Sequence, residues 1–81
     1  MIDDIIKIMK KIFNMGDEVQ LLPTDTQADI SEWDSLAQME IVTELEEYFD
    51  IKFDFMDLIS MDSPAEIEKI VRAKKNGAGE A

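Results

Sequence analysis

Two residue types that carry much of protein chemistry are absent from this chain of 81 residues, which has no cysteine and no histidine. Without cysteine there is no disulfide, no thiolate metal site and no cysteine nucleophile. Without histidine, Ser-His-Asp and Cys-His arrangements and histidine-containing zinc sites are excluded as well. An enzyme of this size would depend on carboxylates in a domain with little room for a cleft, so we expect that the chain is not an enzyme.

Basic residues are also scarce, because the chain has 8 lysine and arginine residues against 19 aspartate and glutamate residues, with a formal net charge of −11. This excess of negative charge argues against binding to nucleic acids or anionic membrane surfaces and favours partners with basic patches. No apolar run approaches the ~20 residues of a membrane span, and the first residues lack the positive charge that begins a secretory signal. We therefore expect a cytoplasmic monomer.

Apolar residues recur at helical spacing in four segments, which predicts one all-α domain over residues 1–75 and a flexible tail over residues 76–81. The predicted helices cover residues 2–15, 35–49, 55–60 and a last segment from 64 onwards. Gly16 is the expected stop of the first helix. Ser63 and Pro64 are a typical N-cap and first residue for the last helix.

Residues 16–34 have no sustained period and contain Pro23, so we predict a long loop, a feature that is often functional in a compact domain. Four apolar side chains are expected to hold this loop to the core: Leu21, Leu22, Ile30 and Trp33. In the short third helix, Leu58 and Ile59 are expected to face inward.

The second helix is predicted to have two unlike faces. Its core face is expected to contain Ile41, Val42, Leu45, Tyr48 and Phe49. Its outer face mixes apolar and acidic side chains: Leu36, Met39, Glu40, Thr43 and Glu47, with Glu44 at the edge. The buried stripe of the last helix is expected to contain Ile67, Ile70 and Val71.

The tripeptide Asp34-Ser35-Leu36 lies where the long loop becomes the second helix. The structural interpretation of Ser35 is a helix N-cap, and Ser35 with Gln38 matches a capping box. Such tripeptides are common, so the surrounding pattern has to decide between a structural role and a functional one.

The order of the predicted elements and the position of Asp34-Ser35-Leu36 are similar to those of acyl carrier proteins. In that family an Asp-Ser-Leu motif at the start of the second helix carries phosphopantetheine. The stretch Glu44–Ile51 resembles the family's ending of this helix, and Ser63 with Ile67 resembles the opening of the last helix. The resemblance covers about residues 2–73 and implies a four-helix bundle of the acyl-carrier type with a long first loop and a short third helix.

Some positions depart from the family pattern. The family often has glycine shortly before the motif, where this chain has Ile30–Trp33, and glycine at the end of the second helix, where it has Asp50. Trp33 before the motif resembles specialised, free-standing carriers more than the fatty-acid synthesis type. Carriers of peptide-synthetase modules tend to have histidine before the serine, so Asp34 favours the acyl branch, and stand-alone aminoacyl carriers stay an open alternative.

The resemblance implies that a 4′-phosphopantetheine group from coenzyme A is attached covalently to Ser35 by a separate phosphopantetheinyl transferase. Asp34 and Leu36 would belong to the same attachment site. The chain supplies no base for Ser35, so this serine is not expected to be a catalytic nucleophile. The chain would instead hold acyl or aminoacyl groups as thioesters for separate enzymes, in fatty acid or secondary metabolite biosynthesis.

The outer face of the second helix is the predicted docking surface for these enzymes. The predicted partner-binding residues are Met39, Glu40, Thr43, Glu44 and Glu47. The carboxylates would steer acyl-loading and acyl-processing enzymes that have basic docking patches, and Met39 would add an apolar contact.

Two other functions compete with the carrier interpretation. The first is an acidic interaction module that has the carrier fold but is never modified. The second is a calcium-binding module, which the acid count suggests but the sequence around Asp50 and Asp54 does not support, because it lacks the glycine and the other residues of an EF-hand loop.

Overall fold

The computed structural model describes residues 1–77, and this part of the chain contains four α-helices and no β-strand. The helices are α1 (Ile2–Ile12), α2 (Ser35–Phe49), α3 (Phe55–Ser60) and α4 (Pro64–Gly77). The predicted all-α architecture with a long first loop and a short third helix is therefore confirmed. Among the described helices, none has both the length and the apolar character that a membrane crossing requires.

Helices α1, α2 and α4 pack around one apolar core that residues of the connecting loops complete. The buried apolar residues are Ile5, Met9, Phe13, Leu21, Trp33, Ala37, Ile41, Val42, Leu45, Met61, Ile67 and Val71. The prediction for α2 is confirmed at Ile41, Val42 and Leu45, and Ala37 joins them on the same face. Burial of each large aliphatic side chain contributes about 1.5–3 kcal/mol, so this cluster is the main source of stability.

Helix α1 ends three residues earlier than predicted, because Asn14 adopts a left-handed conformation with φ 59°. The amide of Asn14 donates to the Lys11 carbonyl at 3.1 Å, and the amide of Met15 donates to the Lys10 carbonyl at 2.9 Å. These two bonds form the Schellman motif of a helix C-terminus. The predicted stop, Gly16, lies beyond the motif.

The long loop between α1 and α2 is anchored by Leu21 and Trp33, which are 4% and 3% exposed. Ile30 packs against the same core in a half-buried position. The prediction for Leu22 is wrong, because this side chain is exposed. The Leu22 amide donates to the Asp25 carboxylate at 2.8 Å, and the backbone turns outward there after Leu21 has taken the inward position.

Two further inward predictions, for Tyr48 and Ile59, are wrong, because both side chains are exposed. Tyr48 lies in the last turn of α2, where its ring packs edge-on against Phe49, with 4.9 Å between the ring centroids. Ile59 follows Leu58 in a helix of six residues. Because adjacent positions point about 100° apart, the half-buried Leu58 takes the inward direction and Ile59 does not.

Helix α3 contains no fully buried residue, and polar contacts add to the core packing of the half-buried Leu58. Asp54 and Asp57 form a capping box, in which each carboxylate accepts a 2.9 Å hydrogen bond from the other residue's amide. The Asp57 carboxylate also forms an ion pair with Lys74 of α4 at 2.7 Å. Burial opposes the ionisation of Asp57, but the hydrogen bonds and the charge of Lys74 outweigh burial and lower the pKa of this carboxyl from its ordinary value of 3.8.

Helix α4 begins as predicted, since the Ser63 hydroxyl accepts a hydrogen bond from the Glu66 amide at 3.2 Å before Pro64 opens the helix. Its inward side chains, Ile67 and Val71, are fully buried. The helix extends to Gly77 and so includes the first two residues of the predicted tail. The other tail residues, 78–81, lie outside the described residues.

Candidate functional site

The N-cap of α2 is Asp34 and not Ser35. Asp34 has an extended backbone, and its carboxylate Oδ1 accepts a hydrogen bond from the Ala37 amide at 2.8 Å. The alternative interpretation of Ser35, as an N-cap in a capping box with Gln38, is therefore contradicted by the structure. A carboxylate one residue earlier reaches the third amide of the helix, and its negative charge suits the positive end of the helix dipole.

Gln38 instead ties the start of α2 to the loop and to α3. Its side-chain oxygen accepts a 2.6 Å hydrogen bond from the Trp33 indole Nε1, and its side-chain nitrogen donates to the Leu58 carbonyl at 3.4 Å. The Trp33 ring packs at a tilt against Phe13, with 5.8 Å between the ring centroids. These contacts fix the residue that precedes Asp34, so the start of α2 has a defined position on the core.

Ser35 is the first residue of α2 and is exposed to solvent. Within residues 1–77, its hydroxyl has no hydrogen-bond partner, and the amides of Ser35 and Leu36 have no acceptor. Free amides in the first turn are usual for a helix, and they make the N-terminus favourable for an anion. The structure therefore presents an accessible hydroxyl beside free donors, at the positive end of a helix.

The predicted docking residues lie on the exposed side of α2, as the helical spacing indicated. Leu36 is 71% exposed and Met39 is 52% exposed, so this face presents two large apolar side chains to solvent. The acidic and polar members of this face are Glu40, Thr43 and Glu47, which are exposed, and Glu44, which is half-buried. The Thr43 hydroxyl donates to the Met39 carbonyl at 3.0 Å, so it is partly satisfied within the helix.

The structure adds two residues of α1 to this face. A groove between α1 and α2 is lined by Lys11, Ile12, Met39, Glu40, Thr43 and Glu44. The sequence showed Ile12 only as part of an apolar stripe and Lys11 only as one of several lysines near the end of α1. Nothing in a single sequence reports which face of α2 lies beside the end of α1, so only the packing of the helices identifies these residues.

Clusters of acidic side chains do not form a metal site in the described part of the chain. Over residues 1–77, no group of three or more histidine, cysteine, aspartate or glutamate residues is placed to hold a metal ion. Of the α2 carboxylates, Glu40 and Glu47 are exposed and Glu44 is half-buried, while the half-buried Glu46 accepts a hydrogen bond from the Phe53 amide at 2.9 Å.

Comparison with known proteins identifies the family. The family described as "Phosphopantetheine attachment site" matches residues 3–71. The chain belongs to this family. A comparison with curated protein sequences finds no match.

Solved structures agree with this membership. The holo acyl carrier protein from Geobacter metallireducens has a TM-score of 0.83 and 26% sequence identity, with 98% of this chain and 90% of that chain covered. A protein from Mycobacterium tuberculosis described as an acyl carrier protein has a TM-score of 0.79 and 22% identity, with 89% of this chain and 95% of that chain covered. The second likeness shows the fold alone. The family resemblance in the sequence is therefore confirmed.

As a member of the phosphopantetheine attachment family, the chain has a carrier role and takes 4′-phosphopantetheine as a covalently attached cofactor. The start of α2 fits this group, because it offers an exposed hydroxyl for an ester bond and free amides for the phosphate anion. Carrier domains of this kind work with phosphopantetheinyl transferases and acyl-processing enzymes.

Proposed function

We propose that the chain is an acyl carrier protein whose 4′-phosphopantetheine is attached to Ser35, with Asp34 and Leu36 as its immediate neighbours in the attachment site. The main observation that supports this proposal is that Asp34, and not Ser35, caps the start of α2. Asp34 caps the helix through the Ala37 amide, so the exposed Ser35 hydroxyl is not needed for the fold. Because its side chain does not cap the helix, a serine at this position is available for modification.

Ser35 is a substrate in this proposal and not a catalyst. Its hydroxyl contacts no base within residues 1–77, so a separate phosphopantetheinyl transferase has to remove the proton. In the transfer, Ser35 Oγ forms a bond to phosphorus, the pyrophosphate bond of coenzyme A breaks, and adenosine 3′,5′-bisphosphate leaves. The free amides of Ser35 and Leu36 and the helix dipole favour the resulting phosphodiester anion at this position.

The bound group supplies a flexible arm that ends in a thiol, on which acyl or aminoacyl groups are held as thioesters. The chain's own contribution is to deliver them, because a tethered group has a high effective concentration at any enzyme that docks beside the arm. With no cysteine anywhere in the chain, no second thiol competes for the cargo. The chain is thus a carrier acted on by separate enzymes, and we place it in the cytoplasm.

The outer face of α2 is the proposed docking surface for these enzymes. Met39, Glu40, Thr43, Glu44 and Glu47 lie on one side of a rigid helix that begins at the attachment serine. The carboxylates attract basic partner surfaces over a distance, and the exposed Met39 adds apolar contact once a partner is bound. We expect docking that weakens as salt is raised.

The proposal is tested by intact mass after incubation of the unmodified chain with coenzyme A, magnesium and a broad-specificity phosphopantetheinyl transferase. We expect a gain of one phosphopantetheine group in the wild type and none in Ser35→Ala. Ser31→Ala is the matched control, because Ser31 is another exposed serine of the same loop region and should leave the gain unchanged.

The alternative is the unmodified acidic module with a carrier fold. It would be favoured if the folded wild type gained no mass while a control carrier was modified in the same reaction. A gain that persisted in Ser35→Ala would keep the carrier function but move the attachment to another residue.

A further inference from the structure

The side chain of Gln38 joins three parts of the chain, which are the long loop, α2 and α3. This residue is half-buried and lies in the first turns of α2. Its oxygen accepts the 2.6 Å hydrogen bond from the Trp33 indole, and its nitrogen donates to the Leu58 carbonyl at 3.4 Å. A contact of this kind can make the position of one element depend on that of another.

The orientation of the Gln38 amide group is fixed by its two partners. An indole N–H can only donate and a backbone carbonyl can only accept, so the oxygen has to face Trp33 and the nitrogen has to face Leu58. Because an amide group is planar, its oxygen and nitrogen turn together and cannot follow two partners independently. A shift of the Leu58 carbonyl therefore changes the geometry of the hydrogen bond to the indole.

The two ends of this connection differ in how firmly they are held. Trp33 is 3% exposed and packs against Phe13 in the core. Helix α3 has no fully buried residue, and its ion pair to α4, between Asp57 and Lys74 at 2.7 Å, is partly exposed. Helix α3 is thus the end that moves more easily, and the end of the long loop is the part that responds.

Building on the proposed function, in which Ser35 carries the cofactor, we propose that Gln38 is a positioning residue that couples the position of α3 to the end of the long loop. While both hydrogen bonds are formed, α3 orients the Gln38 amide, and this amide holds the indole of Trp33. Trp33 directly precedes Asp34, which caps α2 through its carboxylate. A displacement of α3 therefore loosens the backbone that presents the attachment serine.

One substitution separates the two hydrogen bonds of Gln38. Gln38→Glu keeps an oxygen that accepts from the Trp33 indole, but an ionised carboxylate has no proton to donate to the Leu58 carbonyl. The variant therefore removes the connection to α3 and keeps the connection to the loop. Gln27→Glu is the matched control, because it makes the same charge change at an exposed residue of the long loop.

The experiment measures by NMR how fast the Trp33 indole N–H exchanges with water in the unmodified chain, which has one tryptophan. Asp57→Asn is used to loosen α3, because it removes the ion pair to Lys74. We expect this substitution to speed indole exchange about threefold in the wild type and in Gln27→Glu, which corresponds to the loss of one weak hydrogen bond. In Gln38→Glu it should change the rate by less than about 1.3-fold, because the connection to α3 is already absent.

A purely structural role of Gln38 does not predict this difference. The proposal is overturned if Asp57→Asn speeds indole exchange equally with and without Gln38→Glu, or if it leaves indole exchange in the wild type unchanged. Circular dichroism checks that each variant is folded, and Gln38→Met, which removes both hydrogen bonds, replaces Gln38→Glu if the latter does not fold. Modification of Ser35 is not part of the measurement, so failure of the coupling is distinct from failure of the proposed function.

Discussion

Helix α4 places Ile67 and Val71 in the core with no exposed surface, whereas the preceding α3 has no buried residue at all. Helix α3 even exposes most of its apolar side chains, with Phe55 at 75% and Met56 at 66%. The Asp54–Asp57 capping box closes the start of the helix, and the half-buried Leu58, the Lys74 ion pair and the Gln38 hydrogen bond to the Leu58 carbonyl position it on the domain.

The difference shows that two kinds of force hold neighbouring helices of one small domain. Apolar burial holds α4, and it responds little to pH or salt near neutrality. The half-buried Leu58 gives α3 one apolar contact with the core, and partly exposed charges and hydrogen bonds, which weaken when a charge is removed or screened, add to it. We therefore expect α3 to open at a lower free energy than the rest of the domain.

The largest expected effect comes from a substitution in the buried face of α4. Ile67→Ala removes a fully buried side chain of α4 and should lower the free energy of unfolding by about 2–5 kcal/mol, through lost burial and the cavity left behind. Urea denaturation followed by circular dichroism measures the change. A loss below about 1 kcal/mol would show that α4 contributes far less to the core than its burial indicates.

An intermediate effect is expected from a substitution that removes polar contacts of α3. Asp57→Asn removes the ion pair to Lys74 and weakens the capping box, so it should lower the free energy of unfolding by about 1 kcal/mol and speed hydrogen exchange at the amides of α3. Asp62→Asn is the control, because Asp62 is exposed and has no side-chain hydrogen bond within residues 1–77. Equal exchange rates in the two variants would contradict the role of Asp57.

The same variant has a defined pH dependence. Because the pKa of Asp57 is lowered in the folded protein, its carboxylate stabilises the fold fully above its ordinary value of 3.8. That contribution is lost as pH falls from 3.8 through the folded pKa. The stability difference between wild type and Asp57→Asn should therefore be constant near neutral pH and shrink in this acidic range, as urea titrations at several pH values would measure.

The smallest effect is expected for an isoleucine of α3, which can be compared directly with the buried isoleucine of α4. Ile59→Ala makes the same substitution as Ile67→Ala, but the side chain is 56% exposed on α3. The free energy of unfolding should change by less than about 0.5 kcal/mol, because little apolar surface is lost from the core. A large loss in urea denaturation would mean that α3 packs against the core through this side chain.

Local signals in the sequence predicted most of the fold. Ser63 and Pro64 marked the start of α4, and apolar spacing identified the buried face of α2 at Ile41 and Leu45. The errors in the predicted helix ends occur where two nearby residues could both give the same structural signal. The first helix stops at a left-handed Asn14 because asparagine also tolerates that conformation, so the glycine two residues later was a weaker guide.

The features of the candidate site also divide into those that local sequence signals predict and those that depend on tertiary packing. The position of Ser35 and the outer face of α2 follow from a motif and a helical period, both of which are local. The cap at Asp34 was missed because serine and aspartate are about equally good caps, and only the backbone decides between adjacent candidates. Lys11 and Ile12 join the site through the packing of α1 beside α2, which no local pattern contains.

The hydrogen bond from Trp33 to Gln38 has a practical consequence. Trp33 is the only tryptophan of the chain, it is 3% exposed, and it lies two residues before the proposed attachment serine. Its indole is therefore the only tryptophan fluorophore, and it is hydrogen-bonded to Gln38 in the first turns of α2, whose side chain also contacts the α3 backbone at Leu58. The chain has a built-in optical probe at the point where its proposed attachment site, its proposed docking face and its least buried helix meet.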